Sequence, residues 1–196
     1  MYHKINRVRL SFPSIDRTEK FAGKDTGKYS VTFIFDPLVK SHVEELKSLN
    51  KAINDLAKEE FGKKKYISPL KKVEGGLESV NAGGEYWKVK ATSKFEIECF
   101  NRKAERITFD RSQFYGGAVV SGIVTLVALE YEGIRRVSLY INSLQFIKHD
   151  EPLGGSGGSA DKPGFEPVYD SDDFEDDGEE EGGGAGVDGY EDDIPF

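Results

Sequence analysis

The sequence predicts a mainly β fold, a small barrel with one long helix and one long loop, followed by a disordered acidic tail. Three observations lead there. Apolar and polar residues alternate with period two through much of the first 149 residues, and one stretch switches to helical spacing. The charge balance then reverses. Residues 150–196 hold 17 acidic side chains and one basic one, Lys162, a balance of −16. Residues 1–149 hold 18 acids and 26 bases, a balance of +8 that the overall −8 conceals. A basic body with an acidic extension is the asymmetry of a nucleic-acid or membrane-surface binder that carries an interaction tail.

The elements follow in order. KINRVRLSF (4–12) places Val8, Leu10 and Phe12 on one face, with Arg7, Arg9 and Ser11 on the other. KYSVTFIFD (28–36) does the same with Tyr29, Val31, Phe33 and Phe35 against Lys28, Ser30, Thr32 and Ile34. Such alternation marks half-buried strands. Asp36 is placed to cap a helix and Pro37 suits its first turn. Apolar residues then recur at helical spacing from Leu38 to about Phe61, where Gly62 is the expected terminator. Residues 62–85 read as a long, basic loop, a length that usually signals function or mobility.

Strands are expected again over 86–100 and 105–109, then over 116–131 and 134–149, which turn at Glu132-Gly133. In the last strand Val137, Leu139 and Ile141 share one parity, while Leu144 and Phe146 have the other. That shift predicts a bulge near Asn142-Ser143, a device that bends barrel strands. Five or more strands, one intercalated helix and a bulged return strand fit an OB-like barrel, with a β-sandwich as the competing architecture. The domain is expected over 1–153. From Gly154 a glycine/serine linker leads into DSDDFEDDGEEEGGG, too poor in apolar surface to offset the entropy of ordering it, so 154–196 is expected to form the tail.

Composition narrows the function classes. The lone Cys99 and the scattered His3, His42 and His149 offer neither a disulfide framework nor a Cys/His zinc set. No apolar run approaches the roughly 20 residues of a membrane span, and MYHKINRVRLSF has no apolar secretion signal. The expectation is a soluble cytoplasmic protein without membrane association, cofactor or metal. No nucleophilic triad or P-loop is visible. The acids Asp172, Asp173, Asp176 and Asp177 lack the rigid scaffold that two-metal catalysis needs, so an enzyme is not expected.

The basic groups suggest what the body binds. On strand 86–100, Trp87, Val89, Ala91, Phe95, Ile97 and Cys99 take the core parity. Tyr86, Lys88, Lys90, Thr92 and Lys94 take the other. Lysines that neutralise phosphates beside a ring that stacks on bases are what an unpaired strand requires, although lysines also line many merely solvated strands. Repetition favours binding. Arg7, Arg9, Lys28, Lys63, Lys64, Lys65, Arg102, Lys103 and Arg106 also lie outside the inferred core faces, and Tyr115 precedes Gly116-Gly117.

The ending EDDIPF (191–196) resembles the acidic, Phe-terminated peptide of bacterial single-stranded DNA-binding proteins. The segment FYGGAVVSGIVTLVALEYEGIRRVSLYINSLQFIKHDEPLGG (114–155) resembles the final hairpin of phage-encoded single-stranded DNA-binding proteins with an OB fold. The long helix and loop are closer to the phage type than to the bacterial domain and its tetramer; a homodimer is left open. The resemblance implies a protein that protects single-stranded DNA in replication, recombination or repair, in the cytoplasm of a bacterial host. It also implies that Asp192, Asp193, Ile194, Pro195 and Phe196 dock partner enzymes such as a DNA polymerase, helicase or nuclease. A recombination mediator or annealing protein, and more distantly an RNA chaperone, are the alternatives.

Overall fold

The computed structural model describes residues 1–153 apart from Glu78 and the side chain of Phe21. The tail over 154–196, with its docking residues Asp192–Phe196, lies outside the described residues. Within them the strands in chain order are β1 (Tyr2–Ser14), β2 (Lys20–Phe21), β3 (Lys24–Asp25) and β4 (Tyr29–Phe35), followed by helix α1 (Lys40–Phe61). Then come β5 (Leu70–Glu74), β6 (Glu85–Ser93), β7 (Glu98–Phe100), β8 (Arg106–Ile107), β9 (Val119–Tyr131) and β10 (Ile134–Lys148).

Five strands close a barrel. β1 pairs antiparallel with β4 and β9, β4 pairs with β6, and β9 pairs with β10. β10 then runs parallel to β6 through Leu139↔Ala91 and Tyr140↔Thr92, which joins the two ends of the sheet. This is the predicted OB-like barrel, not a sandwich. Its interior is lined by the parity expected from the sequence: Val8 and Leu10, Val31, Phe33 and Phe35, Val89 and Ala91, Val124 and Leu126, Leu139 and Ile141 are all buried. Leu49, Ile53, Leu56, Ala57 and Phe61 of α1 join the same core, so the helical stripe packs on the barrel.

Close packing explains Gly122 of β9, where a Cβ would lie 2.6 Å from the ring of Phe33. The bulge in β10 falls where the parity shift placed it. Ile141 faces Val124 and Ser143 faces Ile123, which leaves Asn142 as the extra residue. Gly62 ends α1 at φ 64, with its N–H bonded to the Lys58 carbonyl at 3.0 Å. Only Gly adopts that conformation without a Cβ penalty.

Four expectations are corrected. Asp36 does not cap α1. Its carboxylate accepts from the Leu38 N–H (2.8 Å) and from the Asn81 N–H (3.0 Å), so it shapes the turn before the helix and anchors a distant loop. The 62–85 loop contains β5, which pairs with β6. The strand expected over 86–100 breaks after Ser93, whose hydroxyl accepts from the Phe95 N–H, and β7 pairs instead with β10. At that bend Phe95 turns out of the core and is 80% exposed. Finally, β1 carries two irregularities, between Ile5 and Val8 against β9 and between Ser11 and Ser14 against β4. The second sends Phe12 outward at φ 43.

No helix among the described residues is long and apolar enough to cross a membrane. Burial pushes the Cys99 thiol pKa up to about 11, so it remains a protonated core group.

Candidate nucleic-acid interface

The outer face of β4 and β6 is built by cross-strand register. Ile34 lies opposite Lys88 and Thr32 opposite Lys90. β5 adds Lys71 directly opposite Lys88, and β1 adds Ser11 opposite Thr32. The result is a groove of about 240 Å³ lined by Ser11, Phe12, Thr32, Ile34, Pro69, Lys71, Tyr86, Lys88 and Lys90. Its ends differ. On one side Ile34 and Tyr86 are buried with Val80, under Val73, Leu77 and Leu153. On the other, Phe12 is 77% exposed and offers a free ring.

The electrostatics are one-sided. Like charges placed directly opposite on a sheet repel, so the Lys71–Lys88 pair lowers stability unless an anion bridges it. Among the described residues no carboxylate pairs with either lysine, whereas Lys72 on the opposite parity pairs with Glu85 at 2.5 Å. Lys90 pairs with Glu19 from the segment between β1 and β4. In an OB barrel the face of the second and third barrel strands, here β4 and β6, and the loop joining the first two are where oligonucleotides bind.

Some residues singled out from the sequence come together here and others do not. Lys88 and Lys90 line the groove, and Lys94 lies exposed just past the end of β6 beside Phe95. Lys28 is exposed at the end of the 15–28 segment. Tyr86 contributes to the floor but is buried, and that burial raises its phenol pKa; its ring is not a stacking platform. Arg9 is corrected more completely. It is 6% exposed, and its guanidinium donates to the carbonyls of Ser79 (2.6 Å) and Glu151, so it ties two loops to β1. The two carbonyls offset part of the cost of burying the charge, while Nε has no hydrogen-bond partner among the described residues.

Elsewhere, Arg7 is exposed on the first irregularity of β1, and Lys63, Lys64 and Lys65 are exposed after α1. Arg102 and Lys103 are exposed at the β7–β8 turn, and Arg106 pairs with Glu98 at 3.2 Å. None of these lines the groove. Tyr115 stacks on His149, with centroids 5.9 Å apart, and its hydroxyl donates to the Asp150 carbonyl at 2.8 Å. It braces the end of β10. Trp87 is half-buried and packs on the core, as its parity indicated.

Two groove residues, Phe12 and Lys71, escaped the sequence reading. Pro13 was the available signal for the first, because proline inside a strand marks a bulge or an edge, where alternation fails. For Lys71 there was little to see, since LKKVE is short and half polar.

A protein-family model described as the Enterobacter phage Enc34 ssDNA-binding protein matches residues 1–177. This chain belongs to that family. Among solved structures, the single-stranded DNA-binding protein from bacteriophage Enc34 has 22% identity and a TM-score of 0.62, covering 80% of this chain and 86% of its own. The same phage protein in complex with ssDNA gives 22% identity and 0.62 over 78% and 89%. The gp2.5 single-stranded DNA-binding protein of bacteriophage T7 stands at 13% identity and 0.49, over 86% and 99%. A search of curated proteins finds no match. The family is thus one of phage single-stranded DNA-binding proteins, and the Enc34 structures share the barrel described above.

Proposed function

We propose that this protein binds single-stranded DNA along the groove between β5, β6, β4 and the bulge of β1. The observation that carries the reading is the groove itself, which unites Lys71, Lys88 and Lys90 with the exposed ring of Phe12 on the nucleic-acid face of an OB barrel. The lysines meet phosphates and release counterions, while Phe12 stacks on an unpaired base. Lys94 and Phe95 extend the same combination beyond β6. Duplex DNA, with its bases already stacked, has no face to offer Phe12.

We assign the protein a role in replication, recombination or repair, in which the tail recruits partner enzymes through Asp192, Asp193, Ile194, Pro195 and Phe196. Leu153, the last described residue, packs against Ile34, Val80 and Tyr86 beside the groove, and we propose a second task for the tail that follows it. With a balance of −14 over 154–196, the tail can compete with DNA for the same cations, within the 8–10 Å that Coulombic attraction reaches at physiological salt. DNA binding would release the tip for a partner.

Fluorescence titration of single- and double-stranded oligomers at several salt concentrations tests the reading. Single strands should bind more tightly, with a log–log salt slope of about −0.7 per contact, or roughly −2 to −3 for three or four lysines. Equal affinity for duplex, or a flat salt dependence, would count against the groove.

A further inference from the structure

The acids of the 15–28 segment have separate partners. Asp16 pairs with Arg111, and Asp25 accepts from the Thr18 hydroxyl and the Gly27 N–H, both at 2.7 Å. Glu19 alone reaches the groove, where its carboxylate pairs with Lys90. The backbone that presents it is braced. The Glu19 N–H donates to the Lys28 carbonyl at 2.7 Å, and its own carbonyl accepts from the Thr26 N–H at 2.8 Å. The β2–β3 ladder closes the hairpin beyond it.

A carboxylate and a phosphodiester offer an ammonium group the same thing, an anionic oxygen acceptor. We infer that Glu19 is an internal stand-in for a DNA phosphate, holding Lys90 in the free protein and giving way when a strand enters. This rests on the single-strand reading above and names how one subsite of that groove is regulated. Lys90 and Glu19 are partly exposed, at 47% and 26% of the side chain, so their pair is of the weak, displaceable kind. Lys71 and Lys88, with no such partner among the described residues, accept the first phosphates. Lys90 joins only when a phosphate outcompetes Glu19, and that exchange frees the hairpin carrying Arg17, Lys20, Lys24 and Lys28 to follow the strand.

The test is a titration of a fluorescent oligothymidine against the full-length chain and its Glu19→Gln variant at low salt. Glu19→Gln should tighten binding by about two- to five-fold, the weight of an exposed ion pair. Glu59→Gln, which removes one exposed charge from α1, should have a smaller effect. In a Lys90→Gln background Glu19→Gln should gain nothing beyond the Glu59 control. Tightening that persists without Lys90 would reduce Glu19 to a general charge effect and overturn the inference, as would unchanged or weaker binding by Glu19→Gln. The groove itself is judged separately. If Lys71→Gln and Lys88→Gln leave affinity intact, the single-strand reading fails, whereas a silent Glu19→Gln beside damaging lysine variants removes only the stand-in.

Discussion

At the scale of single residues, Phe12 shows how one backbone irregularity turns an aromatic ring out of the core and into solvent. A bulky residue at φ 43 is strained, a state that costs on the order of 1–3 kcal/mol and persists only where the surroundings impose it. Here the β1 bulge imposes it, and the gain is an exposed ring beside three lysines. Phe12→Ala should leave thermal stability nearly unchanged, because the ring packs on little. It should weaken single-strand binding by roughly 1–3 kcal/mol, the contribution of one stacked base. Phe12→Trp should retain affinity. The paired measurements are a melting curve and an oligomer titration, and a large loss of stability in Phe12→Ala would mean that the ring is structural.

At the scale of elements, the junction of β1 and α1 depends on a buried histidine. His42 Nδ1 accepts from the Asp36 N–H at 3.1 Å, so Nε2 carries the proton and donates to the Arg7 carbonyl, also at 3.1 Å. One ring thereby pins the start of the helix to the first irregularity of β1. Burial holds the imidazole below its ordinary value of 6.5, against the opposing hydrogen bond to the Arg7 carbonyl and the Asp36 charge. The neutral form is therefore favoured in the folded state. Its contribution is fully present above the unfolded value near 6.5 and is lost as pH falls from there toward the lowered folded value. His3, lowered by burial as well, acts in the same direction. Unfolding free energy should fall between pH ~7.5 and ~5.5, and His42→Gln, which keeps a donor and an acceptor, should flatten that fall. Denaturant melts at the two pH values measure it. An unchanged slope in the variant would place the proton uptake elsewhere.

For the whole molecule the reading to test is that the acidic tail and single-stranded DNA compete for the same basic body. Deleting 154–196 removes 15 acidic side chains and one basic one, and should tighten single-strand binding most at low salt, where screening is weakest. Phe196→Ala leaves every charge in place, so DNA affinity should hardly move. Partner recruitment should drop sharply, because one buried aromatic anchor can dominate a small interface. Pull-down of a replication or repair enzyme onto immobilised single strands, read beside the titration, separates the two roles. If the Phe196 variant recruits as well as the intact chain, the tail acts through charge alone.

The sequence by itself determined the barrel, its interior and the division of charge. Alternation in 28–36 and 137–141, the helical stripe ending at Gly62 and the parity shift at Asn142 are local patterns, and each reappears in the structure because burying one face leaves a strand or helix no other register. What tertiary structure decided was which polar-face residues stay open. Arg9, Lys88 and Tyr86 all lie outside the interior, yet Arg9 and Tyr86 are covered by the loop around Val80 and by residues 150–153, while Lys88 remains at the groove. Phe12 and Phe95 carry core parity, yet a bulge and a broken strand put both in solvent. Parity states which side of a strand a residue occupies. Whether that side meets water, a loop or a ligand depends on segments far away in the chain, and only their packing in three dimensions settles it.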